Sequence, residues 1–125
     1  MAAVIHTNNA PAAVGPYSQA MDCGEFVFCS GQSPLGPETG LLVEGGIEEQ
    51  ARQMFANIKA VLNAAGLDFA NVVKTTVFMT DLTQFATLNG IYAQYFPENP
   101  PARSCVEVSS LPKGALVECE VIAKR

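Results

Sequence analysis

The spacing of apolar residues along the chain predicts two helices. Apolar side chains recur every three or four residues across positions 47–65, and Gly66 follows as a helix stop, which is typical of an amphipathic helix. A second helix is predicted for residues 84–96, although Gly90 weakens it, and Pro97 lies just beyond its end.

Runs of β-branched and aromatic residues predict strands around these helices. Residues 3–7, 25–30 and 71–80 have this character, whereas residues 8–19 are rich in turn-forming residues. The stretch PPARSCVEVSSLPKGALVECEV, residues 100–121, predicts two closing strands around a turn. The predicted order is β-β-α-β-α-β-β, an α/β (α+β) fold with a single mixed sheet.

Two helices most naturally cover one face of such a sheet. If the register permits, the other face carries Arg103, Cys105, Leu116 and Ile122, a set too apolar to be left in water. A chain of this length has no further element to cover that face. Self-association is therefore expected.

The charged residues of the closing strands raise a question of register. Arg103, Cys105 and Glu107 alternate along the first strand, and Glu118 and Glu120 alternate along the second. In an antiparallel hairpin, Arg103 and Glu118 share a face if the paired residue numbers have an odd sum, and lie on opposite faces if the sum is even. The turn length is compatible with both.

Composition and charge exclude several classes of protein. The 125 residues are 49% hydrophobic and 15% charged, which excludes a disordered chain and predicts one domain. The net charge is −5 with no basic run, so a nucleic-acid partner is not expected. No apolar run approaches a membrane span, and no signal peptide is recognisable, so we expect a cytoplasmic protein with no membrane partner.

The cysteines and the single histidine predict neither a metal site nor a disulfide framework. Cys23, Cys29, Cys105 and Cys119 form no CxxC pair, and His6 stands alone near the start. We expect reduced thiols, with a strand disulfide as the less favoured alternative, and Cys105 as a small core residue. Phosphate-binding and dinucleotide-binding glycine motifs are also absent, so no cofactor is expected.

Arg103 is the most informative of the seven basic residues. A guanidinium can grip a carboxylate ligand with two parallel hydrogen bonds, which makes Arg103 a candidate binding residue. The residues alone favour the simpler interpretation, an ion pair with Glu107, Glu118 or Glu120. Glu118 by itself is better interpreted as a solvated or ion-paired strand residue than as a catalytic one.

Five segments change this balance, because they resemble the RidA/YjgF family of enamine/imine deaminases. The segments are GPYSQA (15–20), FVFCSGQSPLGPETG (26–40), ANIKAVLNAAG (56–66), NVVKTTVFMTDL (71–82) and PARSCVEVSSLPKGALVECEVIA (101–123). The resemblance covers essentially the whole chain, so residues 1–125 are expected to form a single RidA-like domain. It implies a chorismate-mutase-like fold and a homotrimer with clefts between subunits.

The resemblance also implies roles for individual residues. Arg103 binds the substrate carboxylate, and Glu118 holds or activates a water. The substrate-binding set comprises Arg103 together with Tyr17, Ser30, Gly31, Asn89 and Cys105, of which Gly31 and Cys105 act through their backbones.

The implied activity is hydrolysis of reactive enamines and imines. The resemblance suggests a 2-iminobutanoate/2-iminopropanoate deaminase, which would release 2-keto acids and ammonia and protect against metabolite damage. A protonated imine is already electrophilic, so a fixed substrate and a placed water suffice for the chemistry. The alternative is a non-catalytic trimer that binds or senses small carboxylates. RNA cleavage, another activity linked to the family, is disfavoured by the acidic charge.

Overall fold

The computed structural model describes residues 2–125 and contains one six-stranded mixed sheet with two helices on one face. The elements are β1 (Ala3–Ile5), β2 (Ala20–Asp22), β3 (Phe26–Gln32), α1 (Ile47–Ala64), β4 (Val72–Met79), α2 (Phe85–Tyr95), β5 (Ala102–Glu107) and β6 (Val117–Lys124). The predicted single sheet and both predicted helices are confirmed. In residues 2–125, no helix is long and apolar enough to cross a membrane.

Strand β2 was not predicted from the sequence. It is only three residues long and follows the turn-rich segment at 8–19, so no alternating pattern could develop. It pairs antiparallel with β1 on one side and with β3 on the other.

The predicted pairing of the two closing strands is wrong. The strand order is β1-β2-β3-β6-β4-β5, so β6 lies in the middle of the sheet, between β3 and β4, and β5 is at the edge. Strand β5 runs parallel to β4 because α2 connects them, as a strand-helix-strand crossover requires. The connection at 108–116 then returns across the end of β4, where the Thr80 N–H donates to the Leu116 carbonyl over 3.2 Å.

An aromatic cluster joins the two helices above the sheet. Phe55 of α1 is fully buried, and its ring stacks on Tyr95 of α2 at a centroid distance of 4.4 Å. Phe69, Tyr92 and Phe96 surround it at centroid distances of 5.9–6.2 Å. Truncating a ring in such a cluster typically costs about 3–5 kcal/mol. This packing fixes α2, and with it the residues that α2 presents to β5.

The opposite face of the sheet, here called the outer face, has no helix over it. Val4, Phe28 and Val106 lie on this face and are 64%, 47% and 42% exposed. Ile122 also lies there, as predicted, because it pairs with Phe28. Exposed apolar area of this kind is typical of a surface that another chain covers.

Arg103 and Cys105 are not on the outer face, contrary to prediction. They pair with Thr75 and Val77 of β4, whose side chains are buried under the helices. Residues paired across strands point to the same side of a sheet, so Arg103 and Cys105 point to the helix side. Leu116, also predicted for the outer face, precedes β6 and is not part of a strand.

Candidate active site

Arg103 is held in place by three side chains of α2. Its Nη1 donates to Asn89 Oδ1 over 2.7 Å. Its guanidinium carbon lies 4.7 Å from the centroid of the Tyr92 ring and 5.3 Å from that of Phe85. Stacking on aromatic faces orients a guanidinium without using its hydrogen-bond donors. We call Phe85, Asn89, Tyr92 and Arg103 the arginine cluster.

No carboxylate neutralises Arg103 within the described chain. The four ion pairs found in residues 2–125 all involve other basic residues. Glu107 shares the helix side with Arg103, but its carboxylate accepts the backbone N–H of Leu82 over 2.9 Å. The predicted ion pair with Glu107, Glu118 or Glu120 is therefore wrong. The half-buried guanidinium makes one side-chain hydrogen bond, to Asn89, and its remaining N–H donors suit a carboxylate.

Two members of the arginine cluster were missed by the sequence analysis. Phe85 and Tyr92 stand four residues before and three residues after Asn89, so all three share one face of α2. That spacing was the available signal, but it is also typical of an ordinary core stripe. The Tyr92 hydroxyl lies 2.8 Å from the Thr75 hydroxyl. Burial raises the pKa of Tyr92, so at neutral pH Arg103 faces an uncharged phenol ring.

The four cysteines are free thiols, and burial raises the pKa of three of them, Cys29, Cys105 and Cys119. Burial raises the pKa of Cys29 to about 11. Cys105 lies two residues after Arg103 and is half-buried. Burial raises the pKa of the Cys105 thiol, and the nearby Arg103 offsets this only in part. At neutral pH Cys105 is therefore a protonated thiol, a poor nucleophile.

Glu118 is fixed on the outer face at the opposite side of the sheet. Its Oε1 accepts the Ser33 hydroxyl over 3.0 Å. Its Oε2 lies against Gly31, where a β-carbon would approach to 2.6 Å. Gly31 belongs to a bulge where the pairing of β3 with β6 shifts between Cys29 and Gln32. The bulge and the missing side chain at Gly31 together make room for the Glu118 carboxylate.

The Glu118 carboxylate lines a cleft of about 350 Å³. Tyr17 also lines it and is half-exposed, with its hydroxyl 3.4 Å from the Val14 N–H. Ser30 lines it too, and its hydroxyl donates to the Ser18 carbonyl over 2.6 Å. We call this the glutamate cleft, lined by Tyr17, Ser30, Gly31, Ser33, Lys113 and Glu118.

The predicted site residues thus fall into two groups within one chain. Tyr17, Ser30, Gly31 and Glu118 meet in the glutamate cleft, whereas Asn89, Arg103 and Cys105 meet on the helix side. Arg103 of β5 pairs with Thr75 of β4, and Glu118 of β6 pairs with Phe78 of β4. The two side chains therefore lie on opposite faces of the sheet. Two strand spacings, roughly 10 Å, separate their strands. One small molecule does not reach both groups in a single chain.

A larger groove, of about 650 Å³, contains none of these residues. Its floor is formed by Phe69, Tyr95 and Phe96, and an exposed Lys59–Asp68 ion pair of 3.2 Å lies beside it. Its lining also includes Glu98, and its one basic residue, Lys59, is already paired with Asp68. The two smaller groups are therefore the better candidates for chemistry.

Comparison with known proteins identifies the family. The family model described as "Endoribonuclease L-PSP" matches residues 7–125. This chain belongs to the RidA/YjgF family. A relative from Salmonella typhimurium, named 2-iminobutanoate/2-iminopropanoate deaminase, is 51% identical over 100% of this chain and 99% of its own.

Solved structures of the RidA/YjgF family have the same fold. A Rid family protein of unknown function from Yersinia pestis, YyfA, matches with a TM-score of 0.95 and 53% identity over 100% of both chains. TdcF from E. coli, solved with bound serine, matches with a TM-score of 0.94 and 46% identity over 98% of both chains. Members of the family therefore carry different names: one is named a deaminase, the family model is described as an endoribonuclease, and one solved structure is of unknown function.

Proposed function

We propose that this protein hydrolyses 2-imino acids, such as 2-iminobutanoate and 2-iminopropanoate, to 2-keto acids and ammonia. The observation that carries the proposal is the half-buried Arg103, oriented by Asn89 and two aromatic rings and lacking a carboxylate partner in residues 2–125. A substrate carboxylate completes this arrangement. The deaminase name of the Salmonella relative supports the same substrate class.

The chemistry requires one anchor and one proton acceptor. Arg103 holds the carboxylate of an imino acid that is protonated on nitrogen. A water oxygen bonds to the C=N carbon while Glu118 takes a proton from that water, and the π electrons pass to nitrogen. Glu118 then returns the proton to nitrogen, the C–N bond breaks, and the hydroxyl proton leaves with ammonia as ammonium. Iminium plus water thus gives keto acid plus ammonium.

We further propose that the site forms between copies of the chain, in a homotrimer. Arg103 and Glu118 point to opposite faces, so a shared substrate needs Arg103 of one copy next to the glutamate cleft of another. The exposed apolar side chains of the outer face, such as Phe28 and Val106, support burial against further copies. Each site is then formed by the arginine cluster of one copy and the glutamate cleft of another.

A second candidate is a binder of small carboxylates that does not catalyse hydrolysis. The observation in its favour is that TdcF was solved with bound serine, which carries a carboxylate. Both candidates use Arg103 in the same way and differ only at Glu118. The endoribonuclease name of the family model is not supported by charge, since the net charge is −5.

Ammonia release from freshly generated 2-iminobutanoate separates these candidates. We expect the protein to accelerate release well above the spontaneous rate. Binding of 2-ketobutyrate without acceleration would instead favour the non-catalytic binder. Single-stranded RNA incubated with the same preparation is expected to stay intact.

The solution mass tests the assembly directly. At micromolar concentration, light scattering should give the mass of three 13.2 kDa chains. A monomer mass would contradict the proposal, because the arginine cluster and the glutamate cleft lie on opposite faces of a single chain.

Mixed trimers test whether a site is shared between copies. Arg103→Ala and Glu118→Gln chains, each inactive alone, are unfolded and refolded together in equal amounts. In a ring in which each site takes Arg103 from one copy and Glu118 from the next, about a quarter of the sites regain both residues. Ammonia release should recover to about that fraction. No recovery in mixed trimers, proven by mass spectrometry, would contradict shared sites.

The thiol of Cys105 should be dispensable for turnover. Cys105→Ala is expected to keep kcat within about threefold, because burial leaves the thiol protonated and every residue retains its carbonyl. The measurement is ammonia release by a Cys105→Ala trimer of normal melting temperature. Loss of turnover in that folded trimer would point to thiol chemistry instead.

A further inference from the structure

Ser33, which has no role in the proposed reaction, makes a hydrogen bond to Glu118. Its hydroxyl donates to Glu118 Oε1 over 3.0 Å, although the two residues are 85 positions apart in sequence. An ionised carboxylate offers acceptor sites on both oxygens, and a hydroxyl on one of them fixes its orientation. The other oxygen, Oε2, packs against Gly31, at 2.6 Å from the place that a β-carbon would take. The carboxylate is therefore held from both sides.

Ser33 is itself tied to α1 through its backbone. Asn57 of α1 is fully buried, and its Nδ2 donates to the carbonyls of Ser33 and Leu35, each over 2.9 Å. The Asn57 Oδ1 accepts from Gln53 Nε2 over 2.9 Å. A buried amide with donors and acceptor satisfied holds a rigid position. The backbone that carries the Ser33 hydroxyl is therefore held in a fixed position by Asn57.

We propose that Ser33 is a positioning residue for Glu118, which makes Oε2 the oxygen that takes the proton from water. This inference rests on the proposed function of the site. With Oε1 engaged by the hydroxyl, the carboxylate cannot turn, and Oε2 stays over Gly31 at the edge of the glutamate cleft. Loss of the hydroxyl frees the carboxylate to rotate. Turnover then falls, while carboxylate binding at Arg103 does not change.

The test compares Ser33→Ala, which removes the donor, with Ser33→Thr, which retains it. Ser33→Ala should lower kcat about tenfold, the factor that matches a hydrogen bond to a charged group. KM and 2-ketobutyrate affinity should stay within about twofold of the unmodified protein. Ser33→Thr should restore most of kcat. Thr87→Ala, an exposed hydroxyl two positions from Asn89 on α2, serves as the control and should change nothing.

A double-mutant cycle with Glu118→Gln separates this inference from the proposed function. If Ser33 acts through Glu118, Ser33→Ala should cause no further loss of kcat in the Glu118→Gln protein. A full tenfold loss in that background overturns the positioning role but leaves the deaminase proposal standing. An unchanged kcat in Ser33→Ala also overturns it. Undiminished turnover in Glu118→Gln overturns the role of Glu118 and this inference with it, whereas no acceleration of ammonia release by the unmodified protein overturns the proposed function.

A crystal structure of Ser33→Ala gives a readout that does not depend on activity. The Glu118 carboxylate should adopt a second rotamer or rotate away from Gly31. A carboxylate that keeps its position without the hydroxyl would overturn the inference.

Discussion

Arg103→Lys is expected to weaken 2-ketobutyrate binding and to lower kcat/KM together, by about 100-fold each. Lysine keeps the positive charge but loses the planar fork that grips both carboxylate oxygens. It also loses the flat stacking surface that now lies 4.7 Å from the Tyr92 ring centroid. Calorimetry with 2-ketobutyrate and ammonia release from 2-iminobutanoate measure the two effects.

The matched control for Arg103→Lys is Arg52→Lys. Arg52 is an exposed arginine of α1 whose partners, Glu48 and Gln94, also lie at the surface. Its replacement should leave affinity and turnover unchanged. If Arg103→Lys forms a stable trimer with normal affinity, Arg103 does not anchor the substrate carboxylate.

Glu118→Gln is expected to lower kcat by about 10²–10³-fold, the contribution typical of a positioned general base. The amide keeps the shape of the side chain and an oxygen that accepts the Ser33 hydroxyl. It cannot take a proton from water. Affinity for 2-ketobutyrate should change by less than about threefold, because the ligand carboxylate is held at Arg103.

Glu120→Gln controls for the loss of one negative charge from the same strand. Glu120 lies two residues after Glu118 on the outer face, so both replacements alter the same side of β6. Only Glu118→Gln should lose turnover. If both variants retain full hydrolysis as trimers, Glu118 is not the proton acceptor, and another group activates the water.

The sequence predicted the elements of the fold better than their arrangement. The helices and the longer strands were predictable because each has its own period of apolar residues, as from Ile47 onwards. The place of β6 was not, because strand pairing depends on the connections and not on the pattern within a strand. The turn-like SSLPKG segment favoured a hairpin, but β5 pairs with β4 through the α2 crossover. Strand β6 takes the other side of β4, which leaves β5 at the sheet edge.

The residues of the candidate site were likewise more predictable than the contacts between them. Arg103, Asn89 and Glu118 were named from the family resemblance, but the contacts among site residues were not predictable from it. Phe85 and Tyr92 looked like core residues by their spacing. Ser33 lies in a loop without any pattern, and its contact with Glu118 exists only because β3 and β6 are neighbours. Such long-range contacts leave no local signal in the sequence.

The central position of β6 has a consequence for how the chain folds. It is the last of the six strands to be synthesised, yet it pairs with both β3 and β4. Until it emerges from the ribosome, β3 and β4 each present an unpaired edge, and β1, β2 and β3 are not paired with β4 or β5. We expect slow folding with high contact order, completed in one late step, and a nascent chain that exposes strand edges prone to aggregation.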